Sequence, residues 1–97
     1  MPTYITLIHF TQQGIEKIKE GPARLDRAKA AIKAAGGEIK AYYLTVGQYD
    51  AVAIGEAPSD EAYAKTMLAI ASAGAIRTET LRAFSEEEYR KIIAALP

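Results

Sequence analysis

Residues 44–54 read "LTVGQYDAVAI". Two apolar, strand-like runs meet there at a polar knot, Gly47-Gln48-Tyr49-Asp50. The first run reaches back to Glu38 ("EIKAYYLTV"), and the second ends at Gly55 ("DAVAIG"), too short for a helix. With so few residues between them, the two strands form a β-hairpin. Every other segment is placed relative to that hairpin.

Upstream, Tyr4 to Thr11 ("YITLIHFT") is β-branched and aromatic, as a strand requires. Alternation puts Ile5, Leu7 and His9 on one face and Tyr4, Thr6, Ile8 and Phe10 on the other. Both faces are largely apolar, so both need cover. Gln12 to Lys19 makes a short extra turn. The main helix begins at Pro22, a residue suited to a first helical position, and runs to about Ala35. Leu25, Ala28, Ile32 and Ala35 form its inward stripe, and Gly36-Gly37 ends it.

Downstream, Pro58-Ser59-Asp60 announces a second helix, capped by Ser59 or Asp60. Tyr63, Thr66, Met67, Ile70 and Ala71 form its inner face, and Gly74 closes it. Ile76 to Phe84 is a fourth strand. Ser85 to Glu88 is a capping box that opens a last helix, with Tyr89, Ile92, Ile93 and Leu96 on one side.

The order β-α-β-β-α-β plus a trailing helix predicts one α+β domain over residues 1–97, the split β-α-β arrangement of the ferredoxin-like fold. Right-handed crossovers place both main helices on one face of an antiparallel sheet. A second copy of the chain is the simplest cover for the other face. The expected assembly is therefore a homodimer with two sheets face to face, a dimeric α/β barrel, or a larger homo-oligomer built on it.

Composition narrows the function classes. The chain has 97 residues, about half of them apolar, with twelve acidic and twelve basic side chains. That balance predicts no nucleic-acid partner, and no charge run marks a membrane surface. No apolar run approaches the ~20 residues needed to cross a bilayer. Cysteine is absent, which removes disulfides, thiolate nucleophiles and thiolate metal sites. With no signal-peptide pattern at the N-terminus, the expected location is cytoplasmic. Asparagine is absent too, a trait of thermostable proteins.

The candidates for chemistry are few. Tyr49 beside Asp50 pairs a phenol with a carboxylate, a combination able to act as hydrogen-bond donor and general base. The plainer reading is a turn: Gly47 supplies positive φ and Asp50 bonds nearby backbone N–H groups. His9 is the single histidine. With no second ligand at metal spacing, no metal site is expected, and no cofactor motif is present. Tyr42 and Tyr43 point to opposite faces, and Tyr43 joins His9, Tyr49, Asp50 and Arg77 as a candidate pocket residue. Arg77 shares a strand face with Glu79, so the two are placed to pair with each other or across a subunit boundary.

"YLTVGQYDAVAI" with Gly47, Tyr49 and Asp50, then "EAP" at 56–58 and "IRTETLRAFSEEE" at 76–88, resembles the GYD domain family, named after its Gly-Tyr-Asp signature. "FTQQGIEKIKEGPAR" resembles the family's first connection. One departure is Gly21 before Pro22, where a small polar cap is expected. The resemblance implies small single domains similar to dimeric α/β barrel proteins, and it brings no catalytic residues. The function expected is a non-catalytic small-ligand-binding or assembly module. The alternatives are a cofactor-independent monooxygenase- or isomerase-like enzyme with its pocket inside the barrel, and a stand-alone ligand sensor.

Overall fold

A computed structural model describes residues 1–97. Its elements are β1 (Thr3–Phe10), α1 (Gln12–Glu16), a short 3-10 turn (Ile18–Glu20), α2 (Gly21–Ala34), β2 (Glu38–Leu44), β3 (Ala51–Glu56), α3 (Asp60–Ala71), β4 (Ile76–Ala83) and α4 (Glu86–Ala94). The strands form one antiparallel sheet in the order β2-β3-β1-β4. The α+β ferredoxin-like order is the one the sequence predicts.

The alternation of β1 decides which side is core. Tyr4, Thr6 and Ile8 are buried on the helix side. Tyr63 of α3 stacks on Tyr4, with ring centroids 4.1 Å apart and planes 9° from parallel. Its hydroxyl and the Thr6 hydroxyl lie 2.5 Å apart in a buried hydrogen bond. Ile32 from α2 and Met67 from α3 complete this cluster. The Tyr4 hydroxyl donates to Asp60 Oδ1 at 2.5 Å. Burial, followed by that bond, pushes the Tyr4 phenol up to about 12.

Local chemistry sets the helix ends. Ser59 caps α3 by accepting from the Ala62 N–H, and α4 opens with the expected reciprocal box of Ser85 and Glu88. The α2 stripe is shorter than its spacing predicts. Ile32 is buried and Leu25 and Ala28 are half-buried, but Ala35 lies in water past the end of the helix.

The β2–β3 connection differs from the expected tight hairpin. β2 stops at Leu44 and β3 starts at Ala51, leaving residues 45–50 as a loop. The Thr45 N–H donates to the Asp50 carbonyl and its hydroxyl to the Tyr49 carbonyl, which closes the loop on itself. Val46 stands fully in water. A bulge interrupts β2 between Ile39 and Ala41, and Lys40 there bridges Glu38 and Glu56.

The α1 helix docks through Gly14, which is buried against the Ala75 backbone at the start of β4. A methyl group at Gly14 collides with the Ala75 carbonyl, and backbone cannot yield there as a flexible side chain would. Gly14→Ala is expected to lower stability by about 1–3 kcal/mol, the usual cost of overpacking, read from urea unfolding curves. An unchanged midpoint would contradict this docking.

Candidate functional site

Three of the residues singled out by sequence, His9, Tyr49 and Arg77, lie at one end of the sheet, on the face that carries no helix. Alternation and register place Ile5, Leu7, Val52, Ile54 and Leu81 in the middle of that face. Tyr43 pairs with Val52 on its β2 side. His9 pairs with Arg77 toward the β2–β3 loop.

Gly47 adopts a φ of 152°, a value that side-chain-bearing residues rarely take, and nothing crowds it. The turn it permits drives Asp50 into β1. The Asp50 N–H donates to the Ile8 carbonyl, and its carboxylate accepts the Phe10 N–H, both at 2.9 Å. Asp50 thus satisfies a strand-end donor that β3 does not reach, since the β1–β3 pairing ends at Ile8 and Ala51.

Tyr49 is turned the other way. Its ring lies against His9, with centroids 4.8 Å apart at 41°. Its hydroxyl donates to Glu79 Oε2 at 2.9 Å. That bond, then the carboxylate charge, then partial burial push the Tyr49 phenol up. Glu79 is therefore engaged by Tyr49, and it forms no ion pair with Arg77. The structure brings His9, Tyr49 and Glu79 into contact, with Arg77 opposite His9. Tyr43 stands on the opposite edge strand from Glu79, with β3 and β1 between them, and Asp50 faces the backbone. The His9–Tyr49–Glu79 line can exchange hydrogen bonds with a docked surface. It lies on an open face, and no group of metal-ligating side chains is present.

A half-open space lies on the opposite side of the sheet. A cavity of about 610 Å3 opens between the sheet and helices α2 and α3, lined by Tyr42, Thr6, Thr78 and Arg24 among apolar side chains. None of these was a sequence candidate. The available signal was the run of alanines on α2, which reads as an ordinary buried stripe.

The GYD domain family matches residues 4–93. A Thermus thermophilus protein named "Glutamine synthetase and cystathionine beta-lyase binding protein" is 34% identical over 84 residues, 86% of this chain and 88% of that protein. The Mycobacterium tuberculosis leucine response regulatory protein LrpA shares the fold, with a TM-score of 0.65 at 18% identity over 87% of this chain. This chain spans about half of that regulator, 51%. The solved structure of TTHA0845 from Thermus thermophilus is similar over 88% of this chain and 95% of that one, with 26% identity and a TM-score of 0.56. No helix is long and apolar enough to cross a membrane.

Two measurements probe this joint. Asp50→Ala leaves the Phe10 N–H unpaired and should cost about 1–2 kcal/mol, a fall in melting temperature of roughly 4–8 °C per kcal/mol; no fall would contradict the capping role. The raised phenol of Tyr49 means the folded state holds that proton more tightly than the unfolded chain does. Its contribution is complete below the ordinary phenol range of about 10 and is lost as pH climbs through the raised value. In Glu79→Gln the Tyr49 resonance should titrate at lower pH than in wild type, followed by NMR of ring-labelled tyrosine.

Proposed function

The chain belongs to the GYD domain family, and from that premise we propose that it is a non-catalytic interaction module, a homo-oligomer that docks on other proteins. The supporting observation is surface. A compact monomer of 10.5 kDa exposes about 5,400 Å2, whereas this chain exposes 6665 Å2. Its radius of gyration of 14.6 Å likewise exceeds the ~12.5 Å of a compact domain of this length.

Much of the uncovered apolar area falls in two places. The helix-free face of the sheet leaves Leu81 45% and Tyr43 57% exposed. The α4 helix buries no residue and shows Tyr89, Ile92 and Ile93 to water, and Leu96, expected on its stripe, is exposed just past its end. A nine-residue helix is not stable by itself below roughly 12–15 residues, so a capping box with no packed face implies a partner. At ~4.8 Å between strands and ~3.4 Å per residue, the sheet face projects on the order of 500 Å2. Stable interfaces bury about 800 Å2 per partner, and the α4 stripe adds area toward that figure. A second copy, packed sheet to sheet, uses both.

The Thermus thermophilus relative carries a name that makes it a binding protein for two enzymes. At 34% identity over most of both chains, that supports protein partners for this chain as well. The rim of His9, Tyr49, Glu79 and Arg77 supplies polar groups beside the apolar rows, the mixture found at interface edges. A cysteine-free chain fits a cytoplasmic working place. The competing reading, a cofactor-independent enzyme with its pocket inside the dimer barrel, draws only on the His9–Tyr49–Glu79 line, and fold does not imply function.

Light scattering should find a dimer or larger species at micromolar concentration. Leu81→Asp, in the middle of the open face, should yield a monomer with an unchanged circular dichroism spectrum. A monomeric wild type would end the assembly reading. Immobilised chain should also retain purified glutamine synthetase or cystathionine beta-lyase; retention of neither would remove the support drawn from the relative.

A further inference from the structure

Helix α2 is fixed at its two ends and stands off the sheet between them. At one end Ile32 is buried with Tyr4, Tyr63 and Met67. At the other the Arg24 guanidinium donates to the Lys17 and Gly14 carbonyls at 2.9 and 3.2 Å, tying α2 to α1. Between these anchors α2 presents Ala28 and Ala31, and the sheet below presents Thr6 and Ala53. These four side chains are small, and among the larger lining residues a space of about 610 Å3 stays open. Close-packed interiors leave few voids larger than a water molecule. Spaces of roughly 300–1,000 Å3 are the size that hold small molecules.

The lining specifies the occupant. Phe10, Leu25, Ile39, Met67, Ile70 and Ile76 make the walls apolar. Thr6 and Tyr63 satisfy each other. The lining side chains with donors to spare are Tyr42, Arg24 and Arg27. The Tyr42 hydroxyl bonds to no group of the chain, and neither arginine forms an ion pair within it. Arg24 spends two of its five donors on carbonyls. Arg24 and Tyr42 line the same space; burial pushes the Tyr42 phenol up and the Arg24 charge pulls it back. A positive, donor-rich end on an apolar chamber is complementary to an anionic head on an apolar body.

We propose that this cavity binds an apolar monocarboxylate of the medium-chain fatty-acid type, its hydrocarbon lying between Ala28 and Ala53 and its carboxylate held by Arg24 and Tyr42. The site lies on the helix side of the sheet, so it is independent of the face assigned to assembly.

Isothermal titration of the intact chain with decanoate and with decanol tests this. Decanoate should bind, and decanol should bind at least about tenfold more weakly, the factor expected for loss of one ~1.4 kcal/mol contact. Arg24→Gln should weaken decanoate by about tenfold and leave decanol unchanged. Ala28→Phe should abolish both while the circular dichroism spectrum is retained. If Ala28→Phe does not fold, the Arg24→Gln comparison decides alone. No binding by wild type overturns the proposal, as does equal binding of acid and alcohol. Undiminished binding in folded Ala28→Phe also overturns it, because the ligand then sits elsewhere, on the open sheet face or α4. Light scattering on the same samples reports the assembly separately: loss of the oligomer sinks that reading and leaves this one standing.

Discussion

The contact of Tyr63 with Tyr4 and Thr6 is the point from which the helix layer takes its shape. Stacked rings bring α3 onto the central strand, and a hydroxyl pair fixes its height. Breaking such a pair strands a buried polar group at a cost of about 1–3 kcal/mol, so the helix has one seat. Ile32 packs against that seat and gives α2 one firm end. The alanines that follow toward the N-terminus of α2 are short and line an open space. The chamber beneath them lies between the Ile32 and Arg24 anchors of α2.

The other side of the sheet is organised by the signature that gives the family its name. Gly47 grants a backbone angle, Asp50 closes the end of β1, and Tyr49 reaches across to Glu79. The three residues act as a joint between the hairpin loop, the central strand and the edge strand. The same joint places Tyr49 and His9 at the rim of an apolar field. A motif that looks reactive as a string is a piece of architecture that leaves two aromatic rings facing outward.

The parts legible in the sequence are those written by local rules. Strand alternation, Pro22 at a helix start and the Ser85–Glu88 box each act within a few residues, and each element was found. Both faces of β1 were readable as apolar for the same reason. The candidate site was readable only in part. Tyr49 and Glu79 are thirty positions apart, and only the β1–β4 register brings the loop over that side chain. Glu79 therefore looked like a partner for Arg77, its neighbour on the same strand face. The chamber left no trace because an alanine facing a void and an alanine facing a wall have the same spacing. What distinguishes them is the size of the residue opposite, and that residue lies on another strand.

The bulge at Lys40 acts together with the makeup of the two edge strands. A free sheet edge can template a further strand, and chains that pair edge to edge in this way can polymerise without limit. Here β2 is broken by the bulge and carries a lysine tied to Glu38 and Glu56, while β4 offers Arg77, Glu79 and Arg82 along its length. Lateral growth is discouraged at both margins, which leaves the open face as the place for the proposed second copy. A face is used up once it is covered. An assembly of the proposed kind therefore closes at a fixed size and does not run on into fibres.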